Sequence, residues 1–143
     1  MKGKTYFKYP NKYYYTDIGL RNARLNYRQY DPGHMMENII YNELLRRGYS
    51  VDVGVVTDRT GGANVQKEID FVVNDSDKKI YIQSAFRMDT DKKESSELAS
   101  LVLTKDFFKK IVVRMDIPHN FYDGNGIFHC NLIDLLLGRV ELF

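Results

Sequence analysis

Two stretches of this chain carry residue types that could do chemistry: Glu68-Ile69-Asp70-Phe71-Val72-Val73 and Tyr81-Ile82-Gln83-Ser84-Ala85. Carboxylates on neighbouring strands are the usual ligands of a hard cation such as magnesium, which accepts oxygen donors and can activate water for phosphodiester hydrolysis. Glu68, Asp70 and, upstream, Glu37 are the anionic candidates. Ile69, Phe71 and Val73 alternate with Glu68, Asp70 and Val72, the period of a half-buried strand. Asn74 to Lys79 is turn chemistry. Lys79 to Phe86 reads as the returning strand, with Tyr81, Gln83 and Ala85 on one face and Ile80, Ile82 and Ser84 on the other. On this pattern Asp70 and Gln83 are expected side by side on one face of a sheet.

An Asp on one strand followed by Glu-x-Lys on the next, often with a Glu from the preceding helix, is the signature of the PD-(D/E)xK nuclease-like fold. The chain resembles the small nuclease-like domain of unknown function found at the C-terminus of many prokaryotic AAA-type ATPases. Four pieces carry the resemblance, in the family's order: Lys12 to Asn22, Glu37 to Leu44, Glu68 to Val72 and Tyr81 to Gln83. The departure from the pattern matters equally. Gln83-Ser84-Ala85 stands where Glu-x-Lys is expected, so the shape of a Glu is kept without its charge and the lysine is gone. A register that sets Tyr81-Ile82-Gln83 against Glu-x-Lys loses the Glu altogether. The resemblance therefore implies a degenerate site made of Glu37, Glu68, Asp70, Gln83 and Ala85, with no intact catalytic set. Glu37 and Asp70 remain as weak metal ligands, and no cofactor is expected unless magnesium serves a nuclease. The implied partner is the rest of a parent ATPase chain, with a winged-helix module upstream.

Composition bounds these readings. The chain has 143 residues, the size of one domain with a real core. No apolar run approaches the ~20 residues of a membrane helix, and no secretory signal opens the chain. The lone Cys130 excludes an internal disulfide and fits a reducing compartment, so a cytoplasmic protein is expected. The net charge of +2 conceals a split. Residues 1–30 hold seven Lys or Arg against Asp17 alone, and the remainder is net acidic. Lys12, Arg21, Arg24 and Arg28 are the candidates for contact with nucleic acid. The chain lacks a phosphate-binding Gly-x-x-x-x-Gly-Lys-Ser/Thr loop, so it is not itself the ATPase part.

The elements that must position these residues follow from caps and periodicity. Residues 1–30 form a basic, aromatic arm and a first helix, and 31–143 the core domain. The rings of residues 1–15 suggest a strand packed on a neighbour, although aromatics interleaved with Lys also suit stacking on bases. Thr16 or Asp17 caps a helix to about Asn26, with Arg21, Arg24 and Arg28 along one face. After Asp31-Pro32-Gly33, Met36, Ile40 and Leu44 mark a second helix that Gly48 ends. Tyr49 to Val56 reads as a strand with Val51, Val53 and Val55 on one face. The Gly61-Gly62 region is a turn into the Asp70 strand. A helix from about Asp91 to Leu103 buries Leu98, Leu101 and Val102. Lys110 to Met115 is a strand covered on both faces, reached by a parallel crossover. Residues 116–125 form a loop, 126–131 a last strand and 132–137 a last helix. Cys130 is expected to be buried; His129 and the other histidines have no metal-ligand spacing.

The expected architecture is thus α/β: a mixed sheet with an αβββαβ restriction-endonuclease-like core and an extra N-terminal strand and helix segment. The leading expectation for function is a non-catalytic accessory domain that binds a partner protein, a second copy of itself or nucleic acid, with no membrane contact. The alternatives are an active divalent-metal DNA nuclease and a DNA-binding module using the basic N-terminal segment.

Overall fold

The computed structural model describes residues 12–59 and 64–143. Along the chain run α1 (Ile18–Arg24), α2 (Pro32–Arg46), β1 (Ser50–Asp58), β2 (Val65–Asp75), β3 (Lys78–Ala85), α3 (Asp91–Leu103), β4 (Lys109–Arg114), β5 (Phe121–Tyr122), β6 (Phe128–Asn131) and α4 (Leu132–Leu136). The strands form one mixed sheet in the order β1-β2-β3-β4-β6-β5. β1, β2 and β3 pair antiparallel, β3 with β4 and β4 with β6 parallel, and β5 closes the far edge antiparallel to β6. No helix among the described residues is long and apolar enough to cross a membrane.

Two apolar clusters lie on the two faces of the sheet. α2 contributes Met36, Ile40 and Leu44 to the first, against Phe71, Val73, Ile80, Ile82, Ile111 and Val113. α3 contributes Leu98 and Leu101 to the second, against Ile69, Ala85, Val112 and Ile127. The unbroken apolar run of β4 follows from this. Ile111 and Val113 face α2, Val112 faces α3, and all three are fully buried. Asp31 caps α2 by accepting from the N–H groups of Gly33 and His34. Gly48, at φ +86°, closes the helix with its N–H on Leu45 O while Tyr49 N–H reaches Leu44 O, a turn that a Cβ would strain.

Several sequence expectations change. α1 stops at Arg24, so Arg28 lies beyond it and the three arginines do not share a helical face. Asn26 and Tyr27 turn the chain at positive φ directly after it. Residues 12–15 form no strand, and the rest of the aromatic arm, with Gly61 and Gly62, lies outside the described residues. Val102 is exposed rather than buried, because α3 turns only its Leu98 and Leu101 side to the sheet. The expected loop at 116–125 contains the two-residue strand β5. Cys130 is buried as expected.

The largest correction concerns β2. Gly54 of β1 pairs with Ile69, but Asp52 pairs with Val72, so β2 carries one residue more than its partner across this interval. This is a β-bulge at Asp70 and Phe71, and it resets the alternation of the strand. Ile69 packs in the α3 cluster while Phe71 and Val73 pack in the α2 cluster. The three do not share a face, as strict alternation would require. Gly54 permits this close pairing: a Cβ there would lie 2.8 Å from Val72 Cγ2 and 3.1 Å from Ile69 Cβ. Val72 is β-branched and stiff, so the clash must move backbone. Gly54→Ala is expected to destabilise the fold by about 1–3 kcal/mol, read as a lower urea midpoint with unchanged slope. An unchanged midpoint would remove the close approach as the reason for glycine.

Candidate functional site: a lysine among three carboxylates

The bulge decides where Asp70 points. β2 and β3 stay in register only as far as Phe71 opposite Ile82. Beyond that pair the strands part, and side chains satisfy the freed backbone groups. Asp70 Oδ2 accepts the N–H of Ser84 at 2.8 Å. The N–H of Asp70 donates to Gln83 Oε1 at 3.3 Å, which also accepts from the Ser100 hydroxyl of α3 at 3.3 Å. Gln83 thus faces α3, whereas the Asp70 carboxylate reaches residues on the α2 side. The expected side-by-side arrangement of Asp70 and Gln83 does not form, because one inserted residue turns Asp70 over. Ala85 lies in the α3 cluster, far from any polar role.

On the α2 side Asp70 meets Glu37 of α2 and Glu68 of β2 around one cation, the ammonium of Lys12. Lys12 Nζ lies 2.7 Å from Glu37 Oε1 and 3.3 Å from Asp70 Oδ1, and it is paired with Glu68 Oε1 as well. Tyr14 donates its hydroxyl to the same Glu37 oxygen at 2.6 Å. His34, one turn before Glu37, stands 3.8 Å from its other oxygen. These side chains line a cleft of about 480 Å³.

The segment that delivers Lys12 is clamped to α2 by two amides. Tyr15 N–H donates to Asn38 Oδ1 at 2.8 Å, and Asn38 Nδ2 returns a hydrogen bond to Tyr15 O at 2.7 Å. Asn42, one turn on, donates to Tyr15 O and Thr16 O. The i, i+4 asparagine pair is therefore a backbone clamp that stands in for a strand partner. Tyr14 is held by stacking on Tyr41, with centroids 4.1 Å apart and planes 17° apart.

The charges follow from this geometry. Burial pushes the Asp70 carboxyl up to about 6; Glu37 adds to the rise, while the Ser84 N–H and Lys12 oppose it. Burial alone would lower the Lys12 ammonium, but its hydrogen bonds to Glu37 and Glu68 and the charge of Asp70 outweigh that and hold it well above its ordinary value. Burial, and then the hydrogen bond to Glu37, push the Tyr14 phenol far up.

In this structure the carboxylate oxygens that face inward are paired with protein donors. Glu37 Oε1 and Asp70 Oδ1 both address the Lys12 ammonium, Asp70 Oδ2 is taken by a backbone N–H, and Gln83 Oε1 is committed to Asp70 N–H and Ser100. Among the described residues no group of three or more His, Cys, Asp or Glu side chains is placed to hold a metal ion. The remaining basic candidates lie elsewhere. Arg21 lines the cleft and bonds Asn22 Oδ1, while Arg24 and Arg28 have no carboxylate partner among the described residues.

A second polar cluster, not legible in the sequence, sits where β4 and β6 end. Arg114 grips both oxygens of Asp116 at 2.9 Å and donates to His129 Nδ1 at 3.1 Å. An arginine only donates, so the His129 proton sits on Nε2, toward Asp123 Oδ2 at 3.4 Å. The Arg114 guanidinium holds the Asp116 carboxyl down at about 2. Phe121 stacks on His129, which is fully buried. Every charge here is paired, and the cluster ties the β5 turn to the sheet.

Asp70 carries a pH signature with a definite sign. Its carboxyl titrates near 6 in the fold against 3.8 ordinarily, so between those values the native state holds a proton that the unfolded chain has released. Stability must fall as pH rises through that window, by on the order of 2–3 kcal/mol. Asp70→Asn keeps an acceptor for Ser84 N–H and removes the titration. It is expected to be more stable than the parent at pH 7 and nearly equal to it at pH 4, by urea unfolding across that range. A variant that is less stable at pH 7 would mean that the ion pair with Lys12 outweighs the burial.

With this geometry in hand, comparison with known proteins gives the following. A family model described as a domain of unknown function, DUF4143, matches residues 32–129. An uncharacterized protein of Haemophilus influenzae (strain ATCC 51907 / DSM 11121 / KW20 / Rd) is 37% identical over 113 residues, covering 79% of this chain and 26% of that protein. The chain thus spans about a quarter of the length of the relative it matches. No solved structure matches the chain. The matched span includes Glu37, Glu68, Asp70 and Gln83 but begins after Lys12 and Tyr14, and on the extent of that match the chain belongs to the DUF4143 family of domains of unknown function.

Proposed function

We infer that this chain is a non-catalytic, degenerate domain of the PD-(D/E)xK nuclease-like class, an accessory binding module of a larger AAA-type ATPase that engages a partner protein or nucleic acid. The observation that carries this reading is Lys12. Its ammonium is the counter-ion of Glu37, Glu68 and Asp70, the same three carboxylates that a hydrolase would need for a metal. The commitment of Gln83 to the Asp70 N–H and Ser100 supports it, since that amide serves the sheet rather than the cleft. The resemblance in Lys12 to Asn22, Glu37 to Leu44, Glu68 to Val72 and Tyr81 to Gln83 supports the assignment to this class, and the greater length of the relative leaves room for an ATPase part.

A second reading is a DNA-contacting module working through Arg21, Arg24 and Arg28. One observation favours it: Arg24 and Arg28 lack carboxylate partners among the described residues. Lys12 is not available to a phosphate in this arrangement, because three carboxylates hold it. This reading expects affinity to fall steeply with salt.

Calorimetric titration with magnesium and with manganese, paired with a cleavage assay on single- and double-stranded DNA, separates the module from an enzyme. The expected outcome is no saturable heat and no cleavage. Stoichiometric heat that disappears in Asp70→Ala, or cleavage by the purified chain that the same variant abolishes, would overturn the non-catalytic reading.

A further inference from the structure

Two surfaces of this domain are incomplete in complementary ways. α1 buries none of its residues. Leu20 is 62% exposed, and Tyr27 and Tyr30, just beyond the helix, are each 74% exposed. Arg24 and Arg28 lie among them without a carboxylate partner among the described residues. On α3, a groove of about 570 Å³ is lined by Ala99 and the exposed Val102, by the edge of the otherwise buried Leu98, and by Asp91 and Glu94. Val102 is half exposed there, and neither Asp91 nor Glu94 has a cationic partner among the described residues. Their place in the first turn of α3 suits the helix dipole, but that does not account for the exposed Val102 beside them.

The two surfaces cannot meet within one chain. α1 packs against α2, and α2 covers the sheet face of Phe71, Val73, Ile80 and Ile82. α3 covers the opposite face, over Ile69, Ala85 and Val112. The sheet stands between the basic, apolar segment and the acidic, apolar groove.

We propose that the α1 segment of one copy docks in the α3 groove of a second, with Leu20 against Val102 and Ala99 and with Arg24 and Arg28 against Asp91 and Glu94. The proposal rests on the reading of the chain as a binding module and names a second copy of this chain as the partner. Leu20 favours a protein partner over a phosphate backbone: an exposed aliphatic side chain gains nothing from a phosphate, yet it fits an apolar groove. Because the two surfaces differ, the contact is either made twice across a two-fold axis or repeated head-to-tail. Charged rims of this kind govern partner choice and make association salt-sensitive.

Sedimentation over a range of concentrations tests this, with circular dichroism confirming that each variant folds. The wild-type chain is expected to gain mass with concentration and to lose that gain in high salt. Asp91→Arg with Glu94→Arg, and separately Arg24→Glu with Arg28→Glu, should each weaken self-association at least about tenfold. Mixing the two reversed variants should restore it, since each then presents the charge that the other lacks. Leu20→Ser should weaken association without any change of charge. A wild-type chain that stays monomeric, or reversed variants that do not recover on mixing, would overturn the proposal. So would a chain that stays monomeric yet binds a fluorescent oligothymidylate through Arg24 and Arg28, which would assign the α1 surface to nucleic acid. None of these results bears on the metal titration, so the two readings fail separately.

Discussion

One extra residue in β2 sets the chemistry of this domain. Without the bulge opposite Gly54, Asp70 would continue the alternation of the strand and share a face with Gln83. With it, Asp70 turns to the α2 side while Gln83 stays on the α3 side, and the two groups exchange roles. The carboxylate caps the Ser84 N–H where β2 and β3 separate, and the amide caps the Asp70 N–H. Both backbone donors would otherwise be left without partners at the fork between the strands, at a cost of about 1–3 kcal/mol each. The fork is thus held by the side chains of Asp70 and Gln83.

The turned carboxylate then needs a counter-charge, which comes from far away in sequence. Lys12 is 25 residues from Glu37 and 58 from Asp70. It arrives because Asn38 and Asn42 grip the backbone of Tyr15 and Thr16, and because Tyr14 stacks on Tyr41. Three negative groups face one ammonium and one phenol, and Asp70, the most deeply buried of the three, is pushed up first by that burial and then by the charge of Glu37. Ionising a carboxyl in such a place opposes folding, while its bond to the Ser84 N–H favours it.

The legible parts of the fold were those governed by period and caps. The Met36-Ile40-Leu44 stripe, the Asp31 and Gly48 ends of α2, and the apolar run of β4 each follow from a local rule and stand as read. The β2 alternation did not, because a bulge leaves no mark in the strand that contains it. Its only trace is Gly54 in the partner strand, which reads equally as a weak strand residue. The carboxylates of the site were legible as types, Glu37, Glu68 and Asp70. Their counter-ion was not, since Lys12 lies in a basic stretch where each lysine resembles its neighbours. The Arg114, Asp116, Asp123 and His129 cluster was invisible for a similar reason: its members are ordinary surface residue types until the ends of two parallel strands bring them together.

The way residues 12–30 are attached has a dynamic consequence. Among the described residues their hold on the body includes the amide hydrogen bonds, the Tyr14 ring and hydroxyl and the Lys12 ammonium, with no buried residue in α1. The sheet behind them is sealed by two apolar clusters. Fewer buried contacts hold these residues than hold the sheet, which is the physical setting in which a segment opens at a lower free energy than the core unfolds. An opening there would leave Glu37, Glu68 and Asp70 as an acidic notch without the ammonium that neutralises them, while the two apolar clusters behind stayed whole.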